Sequence, residues 1–95
     1  MDLTEFRNST EQANPPEGMG FALRTLWWDA KGDWQRAHAC AQQDRTQTGS
    51  SVHAYLHRKE GDMSNAAGWY NSAGRAQPAG TLEEEWEMLA RQLLA

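Results

Sequence analysis

Cysteine and proline are scarce here, with one of the first and three of the second in 95 residues. A lone Cys40 forms no internal disulfide, so the fold must stand on packing alone. The chain also lacks any stretch approaching the ~20 apolar residues that a membrane span needs. Its opening "MDLTEFRNST" has neither the basic segment nor the apolar segment of a secretory leader. A cytoplasmic location, away from the membrane, is the default expectation. Basic residues are outnumbered, nine against thirteen acidic ones, for a net charge of -4. Surfaces that bind phosphate backbones carry clustered Lys and Arg, so nucleic acid is not an expected partner. No glycine loop suited to cradling phosphate occurs, and "GSS" at 49–51 lacks the surroundings of a nucleophile elbow.

What is present is enough apolar material for one core. Hydrophobic residues make up 39% and charged residues 23%, the composition of a soluble globular chain too short for two cores. Trp27, Trp28, Trp34, Trp69 and Trp86 supply bulk that the many alanines do not.

The pattern is helical throughout. Residues 1–16 end in "ANPPEG", where paired prolines forbid a continuous helix, and read as a partly flexible N-terminal arm with Leu3 and Phe6 available to dock. Residues 17–95 form a single helical domain. Met19, Leu23, Leu26, Trp27 and Ala30 recur at helical spacing over about 17–31. In "KGDW", Gly32 suits the left-handed residue that closes a helix and Asp33 caps the next, over about 34–43. "DRTQTGS" reads as a loop, with Ser50 or Ser51 as the cap of a third helix reaching about Glu60. "EGDM" then repeats the stop and start, and a fourth helix runs to about Ala73. A fifth opens with a capping box, Thr81 and Glu84, and carries the apolar stripe Leu82, Trp86, Leu89 and Leu93. The expected architecture is all-α, about five helices, with two stacked helical hairpins closed by the amphipathic C-terminal helix.

Gly61-Asp62 stands 29 positions after Gly32-Asp33, and at that offset Leu23, Leu26, Trp27 and Ala37 meet Val52, Tyr55, Leu56 and Ala66. Repetition on this scale suggests stacked hairpins. Over residues 23–74, "GDWQRAHACAQ" and "GDMSNAAGWYNSAG" resemble the turn and second helix of tetratricopeptide-type and Sel1-type repeats. The period here is shorter, and the proline usual at the end of those units is missing. "VHAYLHRKEGD" is also similar to a motif of small uncharacterised bacterial helical proteins, a likeness that implies no activity. The repeat resemblance implies a small interaction module that takes up a protein, a peptide or a second copy of this chain.

Two groups of residues are candidates for function. Phe21 and Trp28 lie on the side of their helix away from its main stripe, so either intramolecular packing or a partner must cover them. His53 and His57 are four apart, with Glu60 three further on, and His38 holds the matching shoulder of the preceding helix. Imidazoles at that spacing can share one ion while a carboxylate completes the set, so zinc or another transition metal is the alternative reading. Ala54 stands where a metalloprotease helix would carry its glutamate base. The plainer reading makes all three boundary histidines, half buried and hydrogen-bonded. No cofactor is required by that reading, and no complete catalytic set is evident in the sequence.

Overall fold

Asp33 and Asp62 each serve two helices, and the fold is organised around them. The computed structural model describes residues 1–95 as six helices without a strand: α1 Leu3–Ser9, α2 Phe21–Ala30, α3 Trp34–Gln43, α4 Gln47–Glu60, α5 Met63–Ala73 and α6 Leu82–Leu94. After α2, the Gly32 and Asp33 amides donate to Asp29 O and Trp28 O; after α4, the Gly61 and Asp62 amides donate to Arg58 O and His57 O. This is the Schellman pattern, and it requires the positive φ that both glycines adopt, 80° and 87°. The side chains of Asp33 and Asp62 then accept from the amides of Arg36 and Asn65, capping α3 and α5. One residue thus ends a helix with its amide and starts another with its carboxylate.

The helix count differs from five because residues 1–16 are not simply an arm. Asp2 and Glu5 form a capping box around α1, and Phe6 is fully buried, its ring stacked 5.7 Å from Trp86. The Trp27 indole donates to Ser9 Oγ at 3.0 Å, and Lys31 Nζ donates to Gln12 O at 2.8 Å. A seven-residue helix is far below the ~12 residues at which isolated helices become marginal, so docking supplies its stability.

Helix α4 also starts earlier than expected. Thr46 is its N-cap in place of Ser50 or Ser51, accepting from the Gly49 amide, while Asp44 Oδ1 accepts from Thr46 N at 2.9 Å. Asp44 occupies, with its backbone oxygen and side chain, the space where a Cβ on residue 49 would go. Gly49→Ala should therefore destabilise by about 1–3 kcal/mol, opposite to the usual gain from alanine in a helix. Urea unfolding checks this, and an increase in stability would contradict the close approach.

α4 is the central element. It packs against α2, α3, α5 and α6, and every residue from Ser51 to His57 is buried. Val52, Tyr55 and Leu56 join Phe6, Leu26, Trp27, Trp86 and Leu89 in the main core. Ala54 meets Ala66 and Tyr70 in a smaller one. The capping box of Thr81 and Glu84 opens α6, and the Trp86 indole ties it to Leu26 O at 3.1 Å. The radius of gyration is 12.2 Å, close to the ~12 Å of a compact chain of this length. No helix is long and apolar enough to cross a membrane.

Candidate metal centre

His53 and His57, one turn apart on the enclosed α4, project into the space that α3 closes with His38. One ring nitrogen from each lies within 4.8 Å of the others. His38 Nε2 and His53 Nε2 are 3.0 Å apart. The His53 and His57 rings stack, 5.0 Å apart and 23° from parallel, with the His38 ring set edge-on to both. A tetrahedral ion with bonds of ~2.0–2.1 Å holds its nitrogens about 3.3 Å apart, so small ring movements would suffice.

Two tryptophans wall the cluster. Trp34 stacks on His38 at 4.7 Å and 11°, and its indole is fixed by donation to Leu56 O at 3.1 Å. Trp69, from α5, stacks on His53 at 3.8 Å and 12°. His53 and His57 are only 4% and 5% exposed, whereas His38 is half-buried. His53 and His57 are thus far more enclosed than boundary residues, because α4 is surrounded instead of resting one face on a core.

Burial is the main reason that His53 holds a pKa lowered to about 4, with the neighbouring His38 and His57 adding repulsion. His38 is lowered too, by burial first and His57 second, partly offset by Glu60. Neutral imidazole is the form that ligates a metal, so these rings need not lose protons at neutral pH to do so.

Glu60 takes a different place from the one its spacing suggested. Its Oε1 lies 2.6 Å from His57 Nδ1, which leaves Nε2 as the free nitrogen of that ring. A carboxylate on the second nitrogen fixes the tautomer and orientation of a ligating histidine. Glu60 is thus held on His57, and with Asp62 it forms a second group of possible ligands around that histidine.

Cys40 is not part of the group. Its thiol is half-buried and pushed up by burial, with Arg24 acting in the opposite direction. Two buried acids have other partners. Asp29 accepts from Tyr55 Oη and Lys59 Nζ, both at 2.8 Å. Glu85 accepts from Arg58 Nη1 at 2.8 Å and from Tyr70 Oη at 2.7 Å. Burial and then the adjoining acid push both tyrosines above the usual phenol range.

Phe21 and Trp28 are each half-buried. The Arg24 guanidinium covers the Phe21 ring at 4.7 Å, and Arg36 covers Trp28 at the same distance. Trp28 also meets Trp27 edge-on at 4.9 Å. The large apolar side chains that stand exposed are Met1 and Met63. Phe21 borders a cleft of about 510 Å³ that Met19, Leu93 and Leu94 also line.

Trp69 was not visible as a site residue in the sequence, since no linear spacing links α5 to His53. Trp34 could have been found, because it precedes His38 by one helical turn. No protein-family model, no curated protein and no solved structure matches this chain.

Proposed function

We propose that this protein binds one divalent transition metal ion, zinc foremost, through His38, His53 and His57. The observation that carries this reading is the convergence of three imidazoles from two helices, one ring nitrogen of each within 4.8 Å of the others. Two further features support it. The burial that keeps His53 neutral and the carboxylate on His57 Nδ1 are what a histidine site for zinc, copper or nickel requires.

Calorimetry with zinc and nickel on tag-free protein tests it. The expected result is one ion per chain, with affinity reduced more than about 100-fold in the His53→Ala/His57→Ala double variant, beyond what loss of a supporting hydrogen bond gives. His38→Ala, at the half-buried position, should lose affinity while circular dichroism stays helical. Glu60→Gln should weaken binding by about 10–100-fold, the range for a residue that orients a ligand. Stoichiometric uptake unchanged in all these variants would refute the assignment.

A second reading is an interaction module that takes a protein, a peptide or another copy of this chain. The cleft beside Phe21 favours it. On this reading Phe21→Ala or Trp28→Ala lowers self-association in sedimentation, independently of metal. The two-hairpin arrangement closed by α6 belongs to the same reading, supported by the packing of α2 on α3 and of α4 on α5.

A further inference from the structure

Building on the metal-binding reading, we infer that the ion's fourth coordination position is held by water and exchanges for a small anion. His38, His53 and His57 supply three nitrogen donors, and the acids nearest them are engaged elsewhere. Glu60 is engaged at His57 Nδ1, 2.6 Å away, and the two nitrogens of an imidazole ring diverge, so a carboxylate on Nδ1 is turned away from an ion on Nε2. Asp62 groups with His57 and Glu60, not with His38 and His53. Cys40 follows His38 by two residues on α3, a spacing that turns the two side chains to different faces. Metal sites that serve only structure are closed by four protein ligands, whereas three leave a place for solvent.

The surroundings limit the size of that ligand. None of the main surface clefts is lined by His38, His53 or His57. Trp34 and Trp69 lie flat on the His38 and His53 rings. His38 is the half-buried member of the cluster, so a ligand from solvent would reach the ion on its side. Enclosure of this kind favours water, hydroxide or a small anion over an extended substrate.

Cobalt(II) serves as the probe, because its visible bands report coordination number and ligand exchange. Full-length protein loaded with one equivalent of cobalt should show the intense bands of a four-coordinate ion, and azide should shift them with saturation. Glu60→Gln should load more weakly yet respond to azide in the same way. A cobalt spectrum that azide leaves unchanged would mean a closed site, overturning this inference while metal binding stands. An azide response found only in Glu60→Gln would also overturn it, since Glu60 would then be the fourth ligand. Cobalt uptake that is absent, or unaffected by His38→Ala, removes the metal-binding reading itself.

Discussion

Replacing Arg58 with methionine is expected to destabilise the fold by about 3–5 kcal/mol, the range for removing one member of a buried ion pair. The side chain of Glu85 is 1% exposed, and Arg58, itself 13% exposed, is its counter-charge at 2.8 Å. Without the guanidinium only the Tyr70 hydroxyl would remain to satisfy the buried carboxylate. Arg58 also donates to Gly80 O at 2.6 Å, tying α4 to the turn before α6. Small domains are stable by ~5–15 kcal/mol in all, so a loss this large should be visible as partial unfolding near body temperature. The variant Arg58→Met/Glu85→Gln should recover a large part of the loss, since it no longer leaves a charge unpaired. Urea unfolding of the parent and both variants checks this. A single variant within ~1 kcal/mol of the parent would show that the pair is not buried in solution.

Acid should act on the metal-free protein through the histidine cluster. His53 has a pKa of about 4 when folded, against an ordinary 6.5. Between those values the unfolded chain takes up a proton that the folded chain refuses. The stabilisation is therefore complete above pH 6.5 and is lost as pH falls toward 4. The size of this contribution is about 3 kcal/mol by pH 4, and the lowered His38 adds in the same direction. His53→Gln, which keeps the volume and removes the titration, should flatten the fall in urea midpoint between pH 7 and pH 4. Parallel falls in parent and variant would assign acid sensitivity to other groups.

Several of these features could be read directly from the residues, and for a common reason. The Gly-Asp turns, the Asp33, Asp62 and Thr81 caps and the stripe of α6 depend on neighbours within one helical turn, so linear spacing reveals them. Helix α1 escaped notice because seven residues show too little periodicity and its hold comes from Trp27 and Trp86, distant in the chain. The depth of the α4 histidines is not legible as a boundary pattern because a helix enclosed on every side has no single apolar stripe. The histidine pair could be found from its spacing, but its depth could not. Glu85 gave one overlooked sign. It stands three residues after Leu82 and four before Leu89, on the apolar side of an otherwise ordinary acidic first turn.

Trp34 and Trp69 make the centre its own spectroscopic reporter. Indole emission is sensitive to a stacked imidazole's protonation and to a metal on that imidazole, and these two rings lie flat on His38 and His53. Trp27 and Trp86 are instead sealed in the main core, where their emission follows global unfolding. Replacing Trp28, which is half-buried beside Trp27, together with either pair would leave emission that reports one event alone, the histidines or the integrity of the fold, with no label added.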